Sequence, residues 1–272
     1  MIVNYPRMRR HRAAWPDDLD TALKFSSANP FSISAPKKWD GKLEYTNGSG
    51  WKTWDGSAIA SGEIENNHCI YLRGTGNLKI TGVNSSSAKW DIIGTNIACN
   101  GDITLLLDYS TVKSGNRPAM ANYCYSFMFY GCTSLTAAPS LPATTLADYC
   151  YGSMFYGCTS LTAAPSLPAT TLASFCYRSM FGGCTSLTTA PSLPATTLAS
   201  FCYNSMFYGC TSLKLSTTAS GTYTKSYRIP KSGTGTTTSG ALNGMFSNTG
   251  GTFKGTPKIN TTYYLDESNT IV

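Results

Sequence analysis

Between residues 118 and 215 the apolar positions fall into a word that repeats. Cys150-Tyr151-Gly152-Ser153-Met154-Phe155-Tyr156-Gly157-Cys158-Thr159-Ser160-Leu161 returns, nearly unchanged, from Cys124 to Leu135, from Cys176 to Leu187 and from Cys202 to Leu213. Cys124, Cys150, Cys176 and Cys202 mark an interval of 26 residues with no insertion. A fixed period of this size predicts stacked units that bury their apolar faces only against their neighbours. Counting from Leu172, apolar or small residues fall at Phe175, Cys176, Met180, Phe181 and Cys184, which fits one face of a helix. Gly131, Gly157, Gly182-Gly183 and Gly209 would end that helix in a left-handed conformation. Thr188-Thr189-Ala190 then reads as a short strand, which Pro191 stops because it has no N–H to donate. Leu193 to Leu198 is an extended return, with Thr196 or Thr197 placed to cap the next helix. The predicted fold class is an α/β solenoid, one short parallel strand and one short helix per coil, preceded by a small all-β domain.

The β-domain is read over residues 25–100. Phe31-Ser32-Ile33-Ser34 alternates, and Lys42-Leu43-Glu44-Tyr45-Thr46 turns through Asn47-Gly48-Ser49-Gly50 into Trp51-Lys52-Thr53-Trp54, a hairpin signal. His68 to Leu72 and Leu78 to Ile80 flank Gly74-Thr75-Gly76-Asn77, a second hairpin candidate. Residues 1–24 form an arm, basic and then acidic. Residues 101–213 are the solenoid, with Ile103-Thr104-Leu105-Leu106-Leu107 as its capping strand. Residues 214–272 break period and read as an enlarged last coil with a β-cap, in which Lys258-Ile259-Asn260 and Thr262-Tyr263-Tyr264-Leu265 are strand-like.

Charge is scarce: 13% of residues carry it, against about 25% in an ordinary globular chain. The net charge of +7 is unevenly placed. Arg7, Arg9, Arg10 and Arg12 cluster in the arm, whereas residues 121–213 hold one acid, Asp148, and one base, Arg178. No aromatic-interleaved basic face accompanies the arm, which disfavours a nucleic-acid partner. No stretch approaches the 18 or so apolar residues of a membrane helix, and the first residues lack the apolar core of an export signal. The expectation is synthesis in a cytoplasm without the usual export route.

Of ten cysteines, eight sit at repeat positions, two per unit and eight residues apart. That is about 12 Å along a helix, too far for a disulfide, which needs Cα atoms within about 7 Å. Metal-binding spacings are absent. These eight are expected to be buried unpaired thiols; Cys69 and Cys99 can still pair.

The two histidines, His11 and His68, have no nucleophile at a motif spacing, and phosphate-binding and nucleophile-elbow motifs are missing. No enzyme activity, cofactor or metal is expected. For binding, positions that vary between repeats are the candidates. Tyr130, Tyr156 and Tyr208 form a column broken at Gly182, with Arg178 beside the gap. The competing reading has the tyrosines packed flat on the next coil. Trp51 and Trp54 suggest sugar-stacking rings, against the ordinary role of tryptophan in a small β-core; three residues apart on a strand, they point to opposite faces, so at most one is core.

Met-Phe-Tyr-Gly-Cys-Thr-Ser-Leu (Met128 to Leu135, Met154 to Leu161), followed by Ala-Pro-Ser-Leu-Pro, resembles the BspA-like leucine-rich repeats of gut and oral bacteria and their phages. The resemblance covers about residues 118–215, with a degenerate coda at Leu242 to Thr249. Trp39-Asp40-Gly41 and Trp54-Asp55-Gly56 look like the leader of the phage-type versions. The resemblance implies a right-handed, leucine-rich-repeat-like coil. It also implies a non-enzymatic phage virion surface protein (fibre, tail or capsid decoration) that binds host surface glycan or protein through its repeats. The arm, through Arg7, Arg9, Arg10 and Arg12, and the β-domain would dock it to other virion proteins; a homo-oligomer is open. The alternatives are a bacterial cell-surface adhesin and a cytoplasmic protein-interaction scaffold.

Overall fold

A computed structural model describes residues 15–83 and 85–272; Arg7, Arg9, Arg10 and Arg12 lie outside them. The N-terminal strands are β1 (Leu23–Ser27), β2 (Ser32–Ser34), β3 (Lys42–Thr46), β4 (Lys52–Trp54), β5 (Ile59–Ala60), β6 (Gly62–Ile64), β7 (Asn67–Thr75), β8 (Asp91–Ile93) and β9 (Ile97–Asn100). One sheet runs β9-β1-β7-β3-β4, with β6 also on β7, and a smaller one runs β5-β2-β8. Alternation along β1 turns Leu23 and Phe25 into the core. There Trp54 stacks on Trp39 at 5.3 Å and meets Trp90 edge-on at 5.1 Å.

The hairpin expected from Lys42 to Trp54 forms as β3–β4. The one expected around Gly74-Thr75-Gly76-Asn77 does not. The chain leaves the sheet after Thr75 because Asn77 is pulled inward: its amide donates to Lys42 O and Leu106 O (2.9 and 3.0 Å) and accepts from Gly41 N at 2.6 Å. The capping strand expected at residues 103–107 is also absent. Leu105, Leu106 and Leu107 open the helix Leu105–Lys113, which is interrupted by the extended backbone of Asp108. A short apolar run does not distinguish strand from helix by period alone.

The α/β solenoid is not formed. Of the described residues 27% are in strand and 5% in helix, and the segment read as a helix in each repeat is a run of turns. The cause is a left-handed residue at every fourth position: Tyr123, Phe127 and Gly131 in one coil, Tyr149, Ser153 and Gly157 in the next, and their equivalents onward. An α-helix cannot pass through such residues. Backbone groups pair differently. N–H groups of Tyr125, Phe127 and Phe129 donate forward to Cys150 O, Gly152 O and Met154 O at 2.8–3.0 Å. Those of Ser126, Met128 and Tyr130 donate back three residues, at 3.0–3.2 Å. The N–H groups from Tyr125 to Tyr130 thus all have partners, as burial requires. The same scheme links the later coils and ends on residues 239–247, where Tyr203, Ser205 and Phe207 donate to Ala241 O, Asn243 O and Met245 O at 2.9 Å.

The period explains the difference. A four-residue turn places Cys124, Met128 and Cys132, with Tyr125 and Phe129, on the inner side, and all five are buried. Over three turns this spacing is indistinguishable from a 3.6-residue helix. The parallel sheet expected along the stack is reduced to β10 (Leu135–Ala137) on β9, β11 (Thr189–Ala190) on a C-terminal strand, Lys214 and Leu215 on Gly250 and Gly251, and isolated bridges such as Thr145 with Thr171. Two prolines per coil, as at Pro139 and Pro142, remove the donors a longer ladder would use.

Inside the stack, identical side chains lie on one another. Tyr125, Tyr151, Tyr177 and Tyr203 stack at 5.7–5.8 Å. Phe129, Phe155, Phe181, Phe207 and Phe246 stack at 5.4–5.7 Å. All ten cysteines are free and buried. Four of them donate to backbone of the preceding rung: Cys132 Sγ to Trp90 O at 3.5 Å, and Cys158, Cys184 and Cys210 Sγ to Phe129, Phe155 and Phe181 O at 3.0–3.1 Å. Burial pushes the thiols of Cys132, Cys184 and Cys202 up to about 12. Cys69 and Cys99 do not pair. They oppose Ser26 and Phe25, consecutive residues of β1, and so face opposite sides of the sheet.

The tail adds β12 (Lys214–Ser216), β13 (Tyr223–Ile229), β14 (Gly250–Gly251), β15 (Thr261–Asp266) and β16 (Thr270–Ile271). Residues 262–265 are in β15 as expected, whereas residues 258–260 form no strand. The strand β16 returns to pair with β11. One hydrophobic cluster runs from Leu23 to Leu265. Among the described residues no helix is long and apolar enough to cross a membrane.

Candidate binding groove

The turn ladder that buries one set of aromatics turns another set outward. Tyr123, Tyr149, Phe175 and Phe201 sit at left-handed positions and stack at 4.6, 4.4 and 4.9 Å, each half-buried. Tyr130 and Tyr156 form a second pair at 5.1 Å with planes 6° apart. Tyr123 and Tyr149 of the first column and both tyrosines of the second line a groove of about 460 Å³, within the range of small-ligand sites. Gly152, Ser153 and Ser179 come between them. Val83, from the segment before the first coil, lines it too, as does Arg178 from the third coil.

Gly182 shapes the second column. A Cβ there would lie 2.6 Å from Cδ2 and Cε2 of Tyr156, so the missing side chain is what lets that ring lie over the next coil. The flat packing weighed against ligand binding is therefore real for Tyr156, and the ring still lines the groove. Tyr208 is 41% exposed and stands outside it.

Arg178 is exposed, with its guanidinium 5.7 Å from the centre of the Phe175 ring. Among the described residues its guanidinium makes no ion pair or hydrogen bond. The nearest acid in sequence, Asp148, is occupied as acceptor for Ser174 N at 2.8 Å and does not line the groove. The side chains of Ser153 and Ser179, and the phenol groups of Tyr123, Tyr149, Tyr130 and Tyr156, likewise have no protein hydrogen-bond partner among the described residues.

The tryptophan candidates take structural places. Trp54 is 2% exposed and presents no face to a ligand. Trp51 is half-buried beneath Arg73, whose guanidinium lies 3.9 Å from its ring and 4.3 Å from that of Tyr109. The Trp51 indole donates to Asp18 at 2.8 Å, and Arg73 pairs with Asp18 and, at 3.0 Å, with Glu44. The Trp51 hydrogen bond and then Arg73 hold Asp18 below its ordinary carboxylate range, against a burial that raises it. This clasp closes the ring against use as a sugar platform.

The sequence pattern does not single out Tyr123 and Tyr149, because the third member of their column, Phe175, fits the apolar face of a helix. The available signal was an unbroken aromatic column, Tyr123, Tyr149, Phe175, Phe201, at the repeat period. Among the described residues no group of three His, Cys, Asp or Glu side chains is placed to hold a metal. Comparison with known proteins finds no matching family, curated protein or solved structure.

Proposed function

We propose that this is a non-enzymatic surface-binding protein whose repeat stack holds a saccharide chain in the groove between the tyrosine columns. The observation that carries the reading is the pair of outward aromatic columns in register along the stack. Sugar rings present C–H faces that pack on aromatic faces, and their hydroxyls pair with open side-chain hydroxyls such as those of Ser153 and Ser179. The 5.1 Å advance from Tyr130 to Tyr156 is comparable with one sugar unit, so each coil would meet one ring of an extended chain. Deployment on a phage virion, with the N-terminal region docked to other virion proteins and the repeats toward host surface glycan, is supported by the resemblance of the repeat word alone.

The test is binding of the full chain to an array of bacterial surface and plant-type oligosaccharides, with Tyr156→Ala and Tyr149→Ala as variants. Retention of an extended oligosaccharide, weakened about tenfold or more by either substitution, supports the reading. That corresponds to roughly the worth of one stacked ring. If the array retains nothing, or the variants bind as the parent does, the reading is wrong.

A further inference from the structure

Among the described residues, the only cation lining the groove is Arg178, and its guanidinium makes no ion pair or hydrogen bond. We propose that the saccharide is acidic, and that Arg178 receives a sugar carboxylate while neighbouring rings lie over Tyr156 and Tyr149. This rests on the groove being a saccharide site.

The argument is one of charge and place. Residues 121–213 carry a single base, and it is on the groove. Its position in the repeat is filled otherwise by Ser126, Gly152 and Asn204, so no packing requirement of the coil calls for arginine. The groove lining contains no acid, so nothing in it competes for the guanidinium. The planar guanidinium offers paired N–H donors matched to the two oxygens of a carboxylate, and its position over Phe175 limits the freedom lost on binding. Because the cation enters from the third coil, a bound chain would place its acidic unit there and its preceding units toward Tyr130 and Val83.

The experiment uses the full chain with polyuronate oligosaccharides of several backbones, each paired with its carboxyl-reduced, neutral form. Binding is measured by calorimetry at low and at physiological salt, for the parent, Arg178→Ala and Arg178→Lys. At least one acidic oligosaccharide is expected to bind about tenfold more tightly than its neutral partner. R178A should remove that difference while leaving thermal stability unchanged, since the side chain is exposed and without a protein hydrogen bond. R178K should restore part of it, and added salt should weaken only the acidic binding. Equal binding of every acidic and neutral pair, or R178A binding the acidic form as the parent does, overturns the acidic assignment and leaves the groove as a neutral saccharide site. Absence of binding to all of them overturns both.

Discussion

Replacing Ser205 by glycine should stabilise the protein, the opposite of what it would do in a helix. Ser205 has φ of 54°, the left-handed region that L-residues with a Cβ occupy at a cost of roughly 1–2 kcal/mol. Its N–H donates to Asn243 O at 2.9 Å and its carbonyl accepts from Tyr208 N at 3.0 Å. Both bonds are made by backbone and survive the substitution. Glycine relieves the strain but adds freedom to the unfolded chain, worth about 0.4–1 kcal/mol. The difference is a gain of about 0.5–1 kcal/mol. The molecule already uses this solution one rung later, where Gly244 stands at the equivalent position with φ of 60°. Urea denaturation followed by tyrosine and tryptophan fluorescence would measure the gain, and the melting point should rise by a few degrees. Ser205→Val is the control: a β-branched residue is poorly tolerated at positive φ and should lose stability. Were S205G to lose about 1 kcal/mol instead, as glycine does inside a helix, the turn ladder and the account of the repeat built on it would be refuted.

Two further outcomes follow from the core and its rim. The native protein should leave all ten thiols unmodified by an aromatic disulfide reagent at pH 8 and expose all ten after denaturation, because burial holds the thiols protonated; rapid modification in the folded state would contradict the packed columns. Asp108 is held down to about 2 by the Ser110 hydroxyl and then by the N–H groups of Thr111 and Gly76, so its contribution is present above the unfolded value near pH 4 and is lost as pH falls toward 2. Solvent access discounts that contribution to about 1 kcal/mol, and Asp108→Asn should flatten the acid limb of the melting-temperature profile by that amount.

How much could be read from the chain depends on which interactions write themselves into residue order. Stacking in register was legible, because Cys124, Cys150, Cys176 and Cys202 recur without slippage. So was the β3–β4 hairpin, whose glycine-rich turn lies between its own strands. The conformation inside each coil was not. Its inner positions suit a helix and a four-residue turn equally, and the left-handed positions are filled by Tyr, Phe and Ser, which give no local warning. They are held there by hydrogen bonds to residues 25 positions away, or 38 in the last coil, a non-local term that propensity does not contain. The same blindness hid Tyr149 from the site. Arg178 was visible as the one base in a nearly neutral field; Trp54 was misleading because a tryptophan looks alike in sequence whether it lines a surface or fills an interior.

The forward donation of N–H groups from each coil to the next gives the array a direction and makes its internal junctions interchangeable. An additional 26-residue copy inserted between the second and third coils would meet the same donors behind it and the same acceptors ahead, leaving both ends untouched. Copy number would then act as a ruler, lengthening the aromatic trough one ring at a time and carrying Arg178 farther from Val83. Gene-level gain or loss of a unit could in this way retune the reach of the trough without a new fold being invented.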